Sequence, residues 1–243
     1  MKNKYNYIDE MPWEEWQESN FSEDHTENLP PERERIVAVE KKWVGTGKKV
    51  LDIGSAWGRI ASEIREQGND VTVLDMPGVI EKARETHPEL KFLAGSALDI
   101  PTEEKFDVIL ASEIIEHILD LDRFHSEINR VLKDDGMLII STPNVSRTFN
   151  IVSLIMGTTQ GFEYYNTPIL HCRHFTPRTL AATLSRYNFK IIAMSGTDTG
   201  VGMDWSAFTE EEAECLTQII NKFTSNPVFR KGQICALCKK DKK

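Results

Sequence analysis

The sequence lacks several features that would assign a class at once. No apolar run approaches the ~18 residues that cross a bilayer, so no membrane span is expected. The opening "MKNKYNYIDEMPWEEW" has no apolar core, so no secretory leader is expected either. Positive charge is scarce, with 29 Lys and Arg against 38 Asp and Glu and a net charge of -9. An extended nucleic-acid surface is therefore disfavoured, because phosphate binding by counterion release needs clustered Lys and Arg. The one basic run, the terminal "KKDKK", reads as a solvated tail. No internal repeat or low-complexity tract is present. Cysteine is limited to Cys172, Cys215, Cys235 and Cys238. Without a leader these are expected to be reduced thiols in the cytoplasm. "CALC" at 235–238 has metal-like spacing. It sits in a strand-like run, however, where positions i and i+3 face opposite ways, and no second C-x-x-C completes a site.

What is present is a rhythm. "KVLDIG", "DVTVLDM", "LKFLAGS", "FDVILAS" and "MLIISTP" read as buried strands. Helical stretches separate most of them: "GRIASEIREQG", "PGVIEKARETH" and "DRFHSEINRVLKDDG", the last with Asp122 as its expected N-cap. Strands alternating with helices imply parallel pairing, right-handed crossovers and a doubly wound α/β sheet. A helix "ERERIVAVEKKW" precedes them, with Pro31 at its start and Gly45 past its end. "TPRTLAATLSRYNF" is a later helix with Thr176 as N-cap, and "KIIAMSG" and "QICALCK" read as last strands, paired as a distant hairpin.

Three segments fall outside the rhythm. Residues 1–31 are acidic and aromatic, with Tyr5, Tyr7, Trp13, Trp16 and Phe21, and read as a packed arm or a lid. Residues 32–243 are then the main domain. Within it, 144–170 is an insertion after a strand's carboxyl end, where such sheets bind ligands, and Phe162, Tyr164 and Tyr165 suit an apolar pocket or the insertion's own core. Residues 200–231 form an excursion with an acidic helix, "TEEEAECLTQIINKF", before the last strand.

The turn "GSAWG" at 54–58 joins the first strand to a helix, a place where backbone N–H groups meet a ligand. Its spacing is G-x-x-x-G rather than the G-x-G-x-x-G of dinucleotide sites. Asp52, two residues before Gly54, suits a cationic group and repels phosphate.

"VLDIGSAWG" resembles the first motif of class I S-adenosylmethionine-dependent methyltransferases. Later runs extend the resemblance: Asp75 and Met76 after the second strand, "AGSALDIP", and "FDVILASEIIEHILD" followed by "EINRVLKDDGMLIISTPN", which is similar to the small-molecule and ubiquinone-pathway branch. The resemblance covers roughly residues 48–195. It implies a Rossmann-like, doubly wound, mostly parallel seven-stranded sheet with helices on both faces. It also implies a cofactor, S-adenosylmethionine, held by Asp52, Gly54, Ser55, Ala56, Gly58, Asp75, Met76, Ser96, Ala97, Leu98 and Glu113. Asp75 takes the ribose hydroxyls in this scheme, and Ala56 replaces the family's usual middle glycine.

The acceptor side is expected around "EIIEH" and "HCRHFTP". If the first is helical, Glu113, Glu116 and His117 share one face. His117 and His171 are the expected catalytic pair, converging over the transferable methyl although about 54 residues apart in the chain. The E-x-x-E-H run with a distant His is also similar to metal-binding members among small-RNA and ubiquinone-pathway methyltransferases. That likeness makes Glu113, Glu116, His117 and His171 a candidate set for a divalent ion. The function implied is methyl transfer to a small-molecule acceptor, most readily at oxygen. The alternative is a non-catalytic module of this fold that contacts a protein partner. A nicotinamide-dependent oxidoreductase is disfavoured by the loop spacing.

Overall fold

The computed structural model describes residues 31–146, 150–151, 171–197, 209–212, 214–215, 218 and 232–241. Residues 1–30 of the expected arm at 1–31, most of the 144–170 insertion with Phe162, Tyr164 and Tyr165, and most of 200–231 lie outside the described residues.

Helix α1 (Pro31–Val44) leads into β1 (Lys49–Ile53), α2 (Arg59–Glu66), β2 (Asp70–Asp75), α3 (Pro77–Thr86) and β3 (Lys91–Ala94). Then come β4 (Phe106–Ser112), a 3-10 turn (Ile115–His117), α4 (Leu121–Val131) and β5 (Leu132–Pro143). The chain closes with α5 (Pro177–Arg186), β6 (Phe189–Thr197) and β7 (Gln233–Lys240). These make one seven-stranded sheet in the order β3-β2-β1-β4-β5-β7-β6. Pairing is parallel from β3 through β5, and antiparallel where β7 joins β5 and β6. The last two strands are thus the distant hairpin read from the sequence.

Strand alternation sorts the core onto two faces. On one face Val50, Val73, Val108 and Ile139 pack with Ile36 of α1, Ala61 and Ile64 of α2 and Ile80 of α3. On the other, Leu51, Ile53, Ile109 and Ile140 pack with Phe124 and Ile128 of α4 and Leu180 and Leu184 of α5. Cys235 and Cys238 fall on opposite faces, as strand geometry requires, and both are buried. Burial pushes the Cys238 thiol up to about 12, which keeps it protonated and inert.

Helix starts follow local capping chemistry. Thr176, just before Pro177, forms a capping box with Thr179 in the first turn. Asp120, rather than the expected Asp122, caps α4 by accepting the Arg123 amide. Asp122 stands inside the first turn, and its carboxylate takes the Tyr187 hydroxyl at 2.6 Å. The helix also ends earlier than expected, at Val131, because Leu132 already starts β5, paired with Phe106 of β4. The terminal basic run is not all tail: Lys239 and Lys240 lie in β7, and Lys240 donates to the carbonyls of Asn129 and Leu132.

Candidate active site at the carboxyl ends of the strands

The strand order reverses direction between β1 and β4, which are neighbours in the sheet. Connections leave to opposite sides there and open a crevice beyond the strands' carboxyl ends. The glycine turn after β1 and the "EIIEH" stretch after β4 meet at that place. Gly54 has a left-handed backbone with φ 73°, and a Cβ there would come within 2.7 Å of Ile114 Cδ1. Only glycine allows both the conformation and this approach of the two turns. Ala56 shares the left-handed region at φ 53°, so the alanine in the middle of the turn accepts the backbone shape a glycine would favour.

Asp75, at the end of β2, holds the turn from the side. Its Oδ2 accepts the Ala56 amide and its Oδ1 the Met76 amide, each at 2.8 Å. Burial nevertheless outweighs these two bonds and raises its pKa to about 6. A carboxylate this poorly solvated gains from further donors, and each oxygen keeps lone-pair capacity. Ser55 Oγ, in the same turn, is buried with no hydrogen-bond partner among the described residues. Asp52 is buried at the end of β1. Beside Asp75, Ser96 bends the chain after β3 by accepting the Leu98 amide, while Ala97 and Leu98 stay partly buried against the core.

The "EIIEH" stretch is not an α-helix, which corrects the sequence expectation. Glu113 has φ 53°, and a 3-10 turn follows at Ile115–His117. The left-handed residue turns Glu113 away from the other two. Its Oε2 accepts from Gln233 Nε2 of β7 at 3.0 Å, and its amide donates to the Ser141 carbonyl. Glu113 is therefore not among the residues whose ligand atoms converge here. Glu116, His117 and His171 remain, with ligand atoms all within 4.8 Å of one another.

His171 reaches this group through the segment after the insertion. The Val145 amide bonds the Phe175 carbonyl at 2.9 Å, laying residues 171–175 beside the exit of β5. The His117 and His171 rings meet edge-on, with centroids 4.9 Å apart and planes at 66°. Each Nε2 is 4.0 Å from Glu116 Oε1. Glu116 itself is buried and oriented by Thr142 Oγ1, which donates to its Oε2 at 3.0 Å. Burial first, then the neighbouring His117 and His174, lowers the His171 pKa to about 4, so its imidazole is neutral at pH 7.

Sequence reading missed Thr142, Gln233 and Arg173. Thr142 and Gln233 stand near one another across the β5–β7 pair, where Pro143 faces Gln233. A polar pair where two strands leave the core was the available signal. A buried link on the α1 face was missed too: Ser112 Oγ donates to Glu40 Oε1 at 2.6 Å and lies 3.0 Å from Ser141 Oγ.

Comparisons with known proteins agree with the fold. Among curated proteins, a ubiquinone biosynthesis O-methyltransferase of Rickettsia conorii is 29% identical over 114 residues, 45% of this chain and 39% of that protein. One from Azorhizobium caulinodans is 28% identical over 161 residues, 62% of each chain. The chain thus spans less than two thirds of the length of these relatives. A SAM-dependent methyltransferase structure from Archaeoglobus fulgidus aligns with a TM-score of 0.60 at 20% identity, covering 86% of this chain and 94% of that one. A 1,6-didemethyltoxoflavin-N1-methyltransferase from Burkholderia thailandensis aligns at 0.58 and 17%, covering 87% and 79%. At such identities these structures establish the Rossmann-like fold. The profile of a family described as "Methyltransferase domain" matches residues 21–194, most of the chain, and the chain belongs to that family.

Proposed function

We propose that this protein transfers a methyl group from S-adenosylmethionine to an oxygen of a small-molecule acceptor. The observation that carries the reading is the pairing of two half-sites at one sheet edge: the Asp75-braced glycine turn after β1, and the Glu116–His117–His171 group beyond β4 and β5. The curated relatives are named O-methyltransferases, which supports oxygen as the acceptor atom.

The residues fit the cofactor. Asp75 offers an under-solvated carboxylate to a pair of ribose hydroxyls, and Ser55 Oγ offers a buried hydroxyl beside it. Asp52 adds negative charge under a turn that would carry the cationic methionine end. Met76, Ala97 and Leu98, all partly buried, give an apolar wall for the adenine, and Ser96, Gly58 and Glu113 complete the expected cofactor set.

When bound, the cofactor would supply an electrophilic methyl that an aligned nucleophile attacks in line, with the demethylated thioether as leaving group. The chain's own residues align that nucleophile and take its proton. His171 is buried and neutral, so its one ring N–H can donate to the acceptor oxygen and orient it. His117 is partly exposed, with 28% of its side chain open to solvent. It takes the proton at Nε2 and returns it to solvent, with the Glu116 carboxylate stabilising the imidazolium.

A metal-assisted version of the same chemistry is favoured by one observation: Glu116, His117 and His171 form a three-ligand set with an oriented carboxylate. A divalent ion held there would lower the pKa of a bound hydroxyl. The cytoplasm is the compartment proposed, on four cysteines that form no disulfide.

Calorimetric titration with S-adenosylmethionine, its demethylated product and NAD separates the classes. The reading expects the first two to bind and NAD not to. Binding of none of the three would favour the non-catalytic module, and tight NAD binding an oxidoreductase.

A further inference from the structure

Resting on the reading of His117 and His171 as acceptor-side groups, the geometry points to Arg173 as the positioning residue that sets their separation. The two histidines arrive from different strands, and neither strand fixes how far one lies from the other. Arg173 bonds directly onto the turn that carries His117. Its amide donates to the Glu116 carbonyl at 3.1 Å. Its Nε donates to the Ile118 carbonyl at 2.9 Å and its Nη2 to the Leu119 carbonyl at 2.6 Å. Cys172 Sγ adds a weaker bond to the same Glu116 carbonyl at 3.2 Å.

A three-residue 3-10 turn leaves its closing carbonyls without helical donors. The Arg173 amide satisfies that of Glu116, and its guanidinium fork holds the next two carbonyls after the turn, Ile118 and Leu119, in a fixed plane. The backbone that presents His117 is thereby tied to the residue two positions after His171. A lysine ammonium is a single flexible point charge and does not impose that plane. Arg173 is partly exposed and belongs to neither core cluster, so removing its side chain leaves the packing of both sheet faces intact.

The test is the nuclear Overhauser effect between the ring protons of His117 and His171 in the full chain, for Arg173→Ala and Arg173→Lys. Calorimetry with S-adenosylmethionine and the thermal midpoint serve as controls. The expected result is loss of the ring–ring effect in Arg173→Ala and weakening in Arg173→Lys, with cofactor affinity kept within about twofold. Labelled-methyl turnover should fall by about tenfold or more at unchanged cofactor KM. An unchanged ring–ring effect in a folded Arg173→Ala protein overturns the inference, as does an equal loss of cofactor affinity. Where Arg173→Ala does not fold, Arg173→Lys decides: full ring–ring intensity there overturns the two-carbonyl role. The ring measurement needs no acceptor. Its failure is therefore distinct from failure of the methyltransferase reading, which would show as full activity of His117→Ala.

Discussion

Asp75 Oδ2 accepts the amide of Ala56 at 2.8 Å, joining the end of β2 to the middle of the turn after β1. The same carboxylate is the expected acceptor for two cofactor hydroxyls, so one side chain shapes the loop and binds the ligand. Asp75→Ala should weaken S-adenosylmethionine binding by about 1.5–3 kcal/mol per lost charge-assisted bond. Calorimetry at pH 8 checks this, and unchanged affinity in a folded variant would remove Asp75 from the cofactor site.

Binding should also depend on pH through this residue. Its pKa is raised to about 6 by burial, so the free protein carries the charged acceptor above that value and loses it below. Cofactor affinity should be flat from pH 7 to 8 and decline as pH falls through about 6. The bound hydroxyls favour the charged form, so the complex titrates lower than the free protein. A flat affinity from pH 8 to 5 would contradict the role.

His125 governs a separate pH effect, on stability. It is fully buried in α4, its Nδ1 lies 2.8 Å from the Leu121 carbonyl, and it stacks on Tyr187 at 4.1 Å. Burial lowers its pKa from 6.5 to about 4. Above pH 6.5 it is neutral whether folded or not, and stability is unaffected. As pH falls from 6.5 towards 4, the unfolded chain takes a proton that the folded one refuses, so stability drops. The loss is on the order of 3 kcal/mol. Asp75 acts oppositely over pH 4 to 6, since its raised pKa lets the folded state hold a proton there. Comparing His125→Phe with the parent isolates the histidine: urea midpoints from pH 7.5 to 4.5 should fall less steeply in the variant. Parallel curves would contradict the assignment.

Ser112→Ala tests the buried link under the site. The serine is the donor to Glu40 Oε1, and Glu40 is fully buried. Removing the hydroxyl leaves that oxygen without its donor and should cost about 1–3 kcal/mol in urea denaturation. A cost below ~0.5 kcal/mol would place the stabilisation elsewhere.

Much of this arrangement was legible in the residues. Buried strands such as "FDVILAS" and "MLIISTP" carry continuous apolar runs, and Thr176-Pro177 states its own helix start. The last two strand-like runs, "KIIAMSG" and "QICALCK", form the β6–β7 pair despite the long excursion between them. Reading failed where backbone conformation departs from its neighbours. "EIIEH" has helical spacing, but the left-handed φ of Glu113 breaks it, just before Ile114 closes against Gly54. The Asp120–Asp122 shift is a matter of which of two nearby carboxylates reaches an amide three residues on. Arg173 gave no signal, because its partners are backbone carbonyls 54 to 55 residues away, and carbonyls carry no residue type.

The central claim is that the histidine pair serves methyl transfer from a cofactor bound at the glycine turn. It is tested most directly by incubating wild type and His117→Ala with S-adenosylmethionine labelled in the methyl group and a small-molecule cell extract, at matched cofactor occupancy. Label should enter a small-molecule product with wild type, and the rate should fall by about 10²–10⁴ in the variant while cofactor affinity holds. Chelator should abolish the transfer, and a divalent ion restore it, if Glu116, His117 and His171 hold a metal. No labelled product from the occupied wild type, or equal rates for the two proteins, would contradict the account.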